Sequence, residues 1–451
     1  MTVAAATVVV PPGRPLAGTV AVPGDKSLSH RALLLGAVAE GTSQARGLSE
    51  GDDVARTAAA VVALGARVDG EAITGAAGGL RAPGEALDLG NSGTTIRLLA
   101  GLVAGWEMTV VLGGDASLSA RPMDRVAVPL RAMGATVTGT GERCLPPLTV
   151  SGGHLVGIDY TPPMASSQVK SCVLLAGLRA AGETVVREPV ATRRHTEEML
   201  ALCGAAFSEE DGDDGSHVVR VRPGPLRPFV VEIPGDPSQA AFWVVAACVV
   251  PDSEITLERV YVGPGRRGFL DVLRRMGAAV SETPVGGGDG LGAVARITAR
   301  SSRLRATVVE GAEITGLDEV PVLAVAAACA EGTTEFRGVG ELKVKESDRL
   351  AAVVALVRSF GGRAEADGDD LIVEGTGRLT AGRFDAGGDH RMAMAAAVAG
   401  AAAGGDEASV VSGFEVVDTS YPGFAGHLEA LAAAGRGRGH DHGGVMTTGG
   451  S

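Results

Sequence analysis

The chain has 451 residues, of which 45% are hydrophobic, and its formal net charge at pH 7 is -13. Such a length favours two or three domains over a single hydrophobic core. The negative charge and the aromatic content of only 3% argue against a nucleic-acid binder, which needs a basic surface and stacking side chains.

The longest apolar runs, at 240–250 and 320–330, are shorter than the roughly 20 apolar residues of a membrane-spanning helix. We therefore expect buried helices there and no membrane association. No basic region precedes the apolar stretch near the first residue, which predicts a cytoplasmic protein. The cysteines are odd in number and widely spaced, which favours buried thiols over disulfides or a zinc site.

An apolar helical stretch, a glycine and a short β-like run recur along the chain. A glycine just after a helix can take the left-handed conformation that ends the helix and leads into a strand. Near-even spacing of this pattern predicts an α/β fold of repeated units, grouped three and three into two domains. The glycines are Gly65, Gly134, Gly204, Gly277, Gly361 and, with a weaker match, Gly435.

Two similar segments, VPGD ending at Asp25 and IPGD ending at Asp236, predict two chain crossings between the domains. The glycine-rich, charged end of the chain predicts disorder. The expected units are domain 1 (1–22 plus 236–438), domain 2 (23–235) and a disordered tail (439–451).

Basic and hydroxylic residues cluster at predicted helix openings in the first half of the chain. Free backbone N–H groups at such openings favour an anion, although an ordinary capped helix with exposed charges is an equally plain interpretation. Gly93, in LGNSGTTIRLL, would let the backbone approach a ligand closely. The other candidates are Lys26, Ser27, Arg31, Arg121, Arg125, Ser166, Ser167, Gln168, Lys170, Arg193, Arg194 and His195.

Acidic and basic residues are mixed in the second half. Asp318 lies at the edge of an apolar run, where burial can raise a carboxyl pKa for proton transfer. It could equally be an acid favoured by the helix dipole. Glu346 and Arg349, in LKVKESDRL, would share one helix face if that segment is helical. Together the two halves predict a cleft that holds anions and moves protons.

These residues together resemble the 5-enolpyruvylshikimate-3-phosphate synthase family over nearly the whole chain. The resemblance implies an α/β fold, a two-domain inverse α/β barrel of six βαβαββ repeats. It also implies transfer of the enolpyruvyl group of phosphoenolpyruvate to the 5-hydroxyl of shikimate 3-phosphate, without a metal or other cofactor, and we expect a monomer. The matching segments are PGDKSLSHRALL, LGNSGTTIR, the Arg-Pro pair at 121–122, SSQVKS, IPGDPSQAAF, LDEVPVLAVAA, LKVKESDRL and GGDHRMAMA.

The resemblance implies a role for each matching residue. The shikimate 3-phosphate contacts would be Lys26, Ser27, Arg31, Ser166, Ser167, Gln168, Arg193, Asp318 and Lys345. The phosphoenolpyruvate contacts would be Lys26, Gly93, Arg121, Gln168, Arg349, His390 and Arg391. The catalytic residues would be Asp318, Glu346 and Lys26. The division of proton transfer between Lys26 and Glu346 stays open.

Two positions depart from the family pattern. Thr419 and Ser420 stand where some members have a lysine, and Arg194 stands where many bacterial relatives have aspartate.

The closest alternative is the related UDP-N-acetylglucosamine enolpyruvyl transferase family. That family usually has a cysteine in the Arg-Pro loop and an asparagine after the first lysine, whereas here the loop is LGGDASLSARP and Ser27 follows Lys26. A non-catalytic anion-binding module, the second alternative, would not need Asp318, Lys345 and Glu346. Gly93 is the small residue of glyphosate-sensitive members and predicts glyphosate inhibition.

Overall fold

The structure, a computed structural model, describes residues 6–287 and 290–438. The predicted disordered tail and the weak metal-binding alternative for His440 and His442 lie outside these residues. The α-helices are α1 (Lys26–Gly36), α2 (Asp52–Ala63), α3 (Gly93–Ala104), α4 (Ala116–Ser119), α5 (Asp124–Ala132), α6 (Ser167–Gly177), α7 (His195–Leu202), α8 (Pro237–Val249), α9 (Gly268–Arg275), α10 (Val320–Ala328), α11 (Arg349–Ser359), α12 (His390–Ala402) and α13 (Phe424–Arg438). Short 3-10 helices cover Gly290–Gly292, Gly311–Glu313, Gly340–Val344 and Phe414–Thr419.

The strands are short and lie before, between and after the helices along the described chain. They are β1 (Thr7–Val10), β2 (Ala17–Val20), β3 (Thr42–Arg46), β4 (Arg67–Asp69), β5 (Ala72–Thr74), β6 (Leu87–Asp88), β7 (Thr109–Gly113), β8 (Thr136–Thr140), β9 (Leu145–Ser151), β10 (Asp159–Tyr160), β11 (Thr184–Glu188), β12 (Ala206–Asp211), β13 (His217–Arg222), β14 (Val230–Glu232), β15 (Glu254–Tyr261), β16 (Ala279–Pro284), β17 (Val294–Arg300), β18 (Val308–Glu310), β19 (Glu331–Arg337), β20 (Arg363–Asp367), β21 (Asp370–Thr376), β22 (Leu379–Thr380), β23 (Arg383–Asp385), β24 (Ala403–Gly404) and β25 (Ser409–Ser412).

Five four-stranded sheets share one design. In each sheet the first two strands are parallel and the other neighbouring pairs are antiparallel. This recurring strand arrangement is the repeated unit that the glycine spacing predicted. The strand orders are β14-β3-β5-β4, β6-β7-β9-β8, β10-β11-β13-β12, β2-β15-β17-β16 and β18-β19-β21-β20.

A sixth sheet is completed by the start of the chain. Strands β23 and β25 form its parallel pair, and β1 pairs antiparallel with β25 from Thr7 opposite Ser412 to Val10 opposite Ser409. The N-terminal strand therefore takes the place that a hairpin strand has in the other sheets.

The glycine signal is confirmed at five positions and wrong at the sixth. Gly65, Gly134, Gly204, Gly277 and Gly361 follow α2, α5, α7, α9 and α11 with φ of 104°, 107°, 63°, 91° and 76°. Gly435 instead lies within α13. A β-carbon there would be 1.9 Å from the Pro15 carbonyl oxygen, so this glycine permits close backbone packing.

The apolar residues form two separate cores. One contains residues from 10 to 22 and from 240 to 431, and the other contains residues from 28 to 233. The chain passes between them at VPGD and IPGD, where Gly24 and Gly235 form an antiparallel bridge. The predicted crossings therefore lie side by side.

The predicted buried helices at 240–250 and 320–330 correspond to α8 and α10, and every residue of α10 is buried. Within the described ranges, no helix has both the length and the apolar character needed to span a membrane. The cysteines are free thiols, and all but Cys329 are buried.

Candidate active site

A cleft of about 370 Å³ is lined by residues of both halves of the chain. Its size lies within the range of small-ligand sites. The structure places all the residues to which the family resemblance gave a role along this cleft except Arg349 and His390, which lie behind its wall. Of the other candidates, Arg125 lines the cleft, whereas Lys170, Arg194 and His195 do not. The site residues that line it are Lys26, Ser27, Gly93, Arg121, Arg31, Ser166, Ser167, Gln168, Arg193, Asp318, Lys345, Glu346 and Arg391.

Helices α1, α3 and α6 begin at the cleft because a short polar side chain caps each of them. Asp25, Ser92 and Ser166 accept hydrogen bonds from Leu28 N, Thr95 N and Val169 N. Such caps leave other first-turn N–H groups free, and the helix dipoles add partial positive charge. The first half of the chain thus presents several helix N-termini to one site.

Arg31 is held rigidly at the first wall of the cleft. Its guanidinium donates to Ser27 O at 2.9 Å, Thr196 Oγ1 at 2.7 Å and Ser171 Oγ at 2.6 Å. Burial lowers the pKa of Arg31 to about 10, and the negative charge of Glu197 only partly offsets that effect. Since its bonded partners are uncharged, its charge stays available to an anion.

Arg97, which lies in LGNSGTTIRLL but was not predicted as a site residue, belongs to an arginine cluster in the same wall. It donates to Gly93 O at 3.1 Å and Gln168 Oε1 at 2.8 Å, while its Nε has no hydrogen-bond partner among the residues that the structure describes. Burial lowers the pKa of Arg97 to about 9, and the positive charges of Arg125 and Arg121 add to this shift. Crowded cations of this kind favour an anionic ligand.

Lys26 is paired with Asp53, which the sequence analysis missed. Lys26 Nζ lies 2.9 Å from Asp53 Oδ2, and the Lys26 backbone N–H donates to Asp236 Oδ2 at 3.1 Å. Asp53 opens α2 and has no local sign of its function, because its partner is 27 residues away.

Asp318 lies among cations of both halves. Arg193 Nη2, Arg349 Nη1 and Arg391 Nε lie 3.0, 3.4 and 3.6 Å from its oxygens. Burial acts to raise the pKa of Asp318, but Arg391, Lys345, Arg193 and Arg349 together hold it well below its ordinary value. The expectation of a raised pKa is therefore wrong, and Asp318 is an ionised carboxylate in the free cleft.

Glu346 joins the two walls. Its Oε2 lies 2.7 Å from Arg349 Nη2 and its Oε1 lies 3.5 Å from Arg121 Nη1. Although burial acts to raise the pKa of Glu346, Arg349 and Arg121 hold it well below the ordinary value. The Glu346–Arg349 pair forms although α11 begins only at Arg349, so a shared helix face is not its cause.

The two predicted residues behind the wall support it. Arg349 Nε and Nη2 donate to the two Asp389 oxygens at 2.8 and 3.1 Å, and Asp389 Oδ1 also accepts from Arg391 N at 3.0 Å. Burial, with the charges of Lys26 and Arg391, lowers the pKa of His390 to about 3. His390 is therefore neutral at physiological pH.

Arg266 is a further lining residue that was not predicted from the sequence. Its Nη2 lies 3.1 Å from Asp25 Oδ2 and 2.8 Å from Asp236 Oδ1, so one guanidinium joins the two chain crossings. The likeness of VPGD and IPGD was the available signal, although it did not indicate which cation lies between them.

The two departures from the family pattern have structural counterparts. Arg194 pairs with Asp211 and does not line the main cleft. Thr419 lines a different cavity that also contacts Glu346, and Ser420 O accepts from Gln239 Nε2 at 3.4 Å. Neither Thr419 nor Ser420 lines the main cleft.

The fold is that of a known enolpyruvyl transferase. The solved structure of the enolpyruvyl transferase NikO from Streptomyces tendae has a TM-score of 0.73, with 95% of this chain and 98% of that chain covered at 20% identity. This likeness shows the fold alone. It confirms the predicted two-domain inverse α/β barrel.

The family is defined more narrowly by closer relatives. The family model described as EPSP synthase (3-phosphoshikimate 1-carboxyvinyltransferase) matches residues 10–428. The 3-phosphoshikimate 1-carboxyvinyltransferase of Desulforudis audaxviator is 47% identical, over 94% of this chain and 99% of that protein. The 2.37 Å structure of EPSP synthase from Acinetobacter baumannii has a TM-score of 0.81 and 38% identity, over 94% and 98% of the two chains. The chain belongs to the EPSP synthase family, and it is a transferase.

Proposed function

We propose that the cleft transfers the enolpyruvyl group of phosphoenolpyruvate to shikimate 3-phosphate. The 5-hydroxyl oxygen bonds to the central carbon of phosphoenolpyruvate as the methylene carbon gains a proton. The tetrahedral intermediate then expels phosphate while its methyl group loses a proton, which restores the carbon–carbon double bond. The observation that carries the proposal is the arrangement of one cationic, hydroxylic wall opposite a wall of carboxylates held by arginines. Family membership supports the choice of substrates.

The first wall would hold shikimate 3-phosphate. Ser166, Ser167 and Gln168 surround the start of α6 and would serve its phosphate and hydroxyls, with Arg31 and Lys26 supplying positive charge. Arg193 would contribute from the rim, where its present bonds to Thr315 O and Asp318 keep it close to the second wall. Lys345 would contact the ring from that opposite wall.

Phosphoenolpyruvate would lie where the arginines of both walls meet. Arg121 and Arg391 line the cleft and supply planar guanidinium groups, which match carboxylate and phosphate oxygens in pairs. Arg349 lies behind the wall and would reach phosphoenolpyruvate only if its bonds to Asp389 and Glu346 shifted. Gly93 leaves room for the Arg121 guanidinium, since a β-carbon there would be 2.8 Å from Arg121 Nη1. Gln168 would border both substrates, and neutral His390 would lie beside this subsite.

Proton transfer would be divided between the two carboxylates. Asp318 is ionised in the free cleft and would accept the proton of the 5-hydroxyl once the bound anions offset the cations that lower its pKa. Glu346 is also ionised in the free cleft, but an anion that engages Arg349 and Arg121 would weaken their effect and raise the pKa of Glu346. We propose that phosphoenolpyruvate binding thereby prepares Glu346 to protonate the methylene carbon, with Lys26 as the other candidate donor.

The two hydrophobic cores support our proposed division into domain 1 (1–22 plus 236–438) and domain 2 (23–235). The monomeric state and the cytoplasmic location stay predictions. Sedimentation of the purified chain tests the first of them, and separate expression of residues 23–235 tests whether domain 2 folds alone.

Phosphate release tests the proposed function. We expect release from shikimate 3-phosphate plus phosphoenolpyruvate, and none when UDP-N-acetylglucosamine replaces the first substrate. Release only with the nucleotide sugar would support the alternative transferase. No release with either acceptor would leave an anion-binding module.

A further inference from the structure

Lys170 is a buried cation that the proposed chemistry does not use. It lies in α6, and its side chain is 0% exposed. Its Nζ lies 2.8 Å from Glu188 Oε2 and 2.6 Å from Glu197 Oε1, and each of these carboxylates is 1% exposed. Burying three ions costs stability unless they are well paired, and apolar side chains would often fill such a site at lower cost.

The cluster fixes three elements relative to one another, since Lys170 is on α6, Glu188 on β11 and Glu197 on α7. Glu188, Glu197 and His217 place ligand atoms within 4.8 Å of one another, as a metal site would. The Lys170 ammonium contacts both carboxylates directly, however, and so takes the position of a cation between them.

The neighbours of this cluster hold the wall of the cleft. Ser171 and Thr196, next in sequence to Lys170 and Glu197, hydrogen-bond each other at 2.6 Å. The same two hydroxyls accept hydrogen bonds from Arg31. The ion pair between α6 and α7 therefore sets the separation of the two side chains that orient Arg31.

Glu188 provides a second connection to the cleft. Its Oε1 accepts from Thr192 Oγ1 at 2.5 Å and its Oε2 lies 3.4 Å from the donating Thr192 N. Thr192 lines the cleft directly before Arg193. One ammonium thus supports two of the basic residues, Arg31 and Arg193, that the cleft would offer to shikimate 3-phosphate.

We propose that Lys170 is a positioning residue for the shikimate 3-phosphate subsite, acting through Ser171 and Thr196 on Arg31 and through Glu188 on the Thr192–Arg193 turn. This inference rests on the proposed function, because it concerns the same subsite. An ammonium that pairs with two carboxylates on different elements specifies their mutual orientation, which apolar packing does less strictly. Displacement of Arg31 by a fraction of an ångström would then weaken shikimate 3-phosphate binding more than phosphoenolpyruvate binding.

The test compares Lys170→Met with wild type in phosphate-release kinetics and in calorimetric titration with shikimate 3-phosphate. We expect the Kd and KM of shikimate 3-phosphate to rise on the order of tenfold, with the KM of phosphoenolpyruvate at saturating shikimate 3-phosphate changed by less than about twofold. Lys343→Met is the matched control, since Lys343 is 42% exposed in a surface pair with Asp369; it should leave all these constants unchanged.

If Lys170→Met does not fold, Glu197→Gln tests the inference in its place, because this substitution keeps the side-chain size and the Lys170–Glu188 pair. The same selective loss is expected. Equal changes in both KM values, or shikimate 3-phosphate constants within about twofold of wild type in a folded variant, would overturn the inference. A wild-type enzyme that neither binds shikimate 3-phosphate nor releases phosphate would instead overturn the proposed function, and the inference with it.

Discussion

The two walls of the cleft use arginine in opposite electrostatic settings. Arg97, in the first wall, has burial and two neighbouring arginines that lower its pKa to about 9. Arg349, behind the second wall, is buried as well, but Asp389 and Glu346 more than offset burial and raise its pKa. The first wall has excess positive charge that a ligand can neutralise. The second is neutralised within the protein, which suits it to proton transfer.

The largest effect is expected from Asp318→Asn, which removes the proton acceptor from the second wall. Loss of a general base typically lowers kcat by about 10²- to 10⁴-fold, and phosphate release at saturating substrates measures it. Asp369→Asn is the matched control, because Asp369 is 69% exposed beside Lys343. Turnover of Asp318→Asn within a few-fold of the control would remove Asp318 from the reaction.

The next effect is expected from Arg31→Met in the first wall. Losing a charged hydrogen-bond donor would raise the Kd of shikimate 3-phosphate by roughly ten- to a hundredfold, while kcat at saturation falls much less. Calorimetry and steady-state kinetics measure the two quantities. Arg187→Met, at an exposed pair with Asp159, is the control. If kcat fell as far as in Asp318→Asn, the two walls would not have separate roles.

A smaller effect is expected at Gly93, where the walls meet. In Gly93→Ala the new β-carbon would lie 2.8 Å from Arg121 Nη1 and 2.9 Å from Arg97 Nη1, so these guanidinium groups must shift. Overpacking of this kind costs about 1–3 kcal/mol, and we expect a higher KM for phosphoenolpyruvate. Wild type should be inhibited by glyphosate, and Gly93→Ala less so. Equal inhibition of both proteins would contradict this account of the subsite.

The smallest effect on turnover is expected at Glu198, whose Oε1 accepts from the Tyr261 hydroxyl of the other half at 2.6 Å. Burial raises the pKa of Glu198 from 4.5 to about 7. Between these pH values the unfolded chain has released a proton that the folded chain keeps, so the free energy of unfolding falls as pH rises.

Glu198→Gln should remove this part of the pH dependence without changing kcat. Denaturant unfolding of wild type and variant, near pH 4.5 and near pH 7, measures it. Parallel stability curves would show that Glu198 titrates normally.

Local sequence signals predicted the local structure. Glycines after helices predicted five of the repeats. Polar residues at helix openings predicted the ends of α1, α3 and α6 that face the cleft. The same glycine signal was wrong at Gly435, because nothing near it shows that Pro15 packs against the helix.

Features that depend on distant residues were missed or mistaken. Asp53 and Arg266 act through partners far along the chain. The pKa of Asp318 was expected to be raised because its helix-edge position shows burial but not the four cations around it. The charge balance of a site depends on residues that only the fold brings together, so the local sequence does not predict it.

The most direct test of the two-wall account is shikimate 3-phosphate binding and turnover in Glu346→Gln, measured on the same protein sample. Glu346 contacts the arginines of the proposed phosphoenolpyruvate subsite and is not among the proposed shikimate 3-phosphate contacts. The account predicts a Kd for shikimate 3-phosphate close to that of wild type, with phosphate release lowered by about 10²-fold or more. Full turnover, or loss of binding in step with turnover, would contradict it.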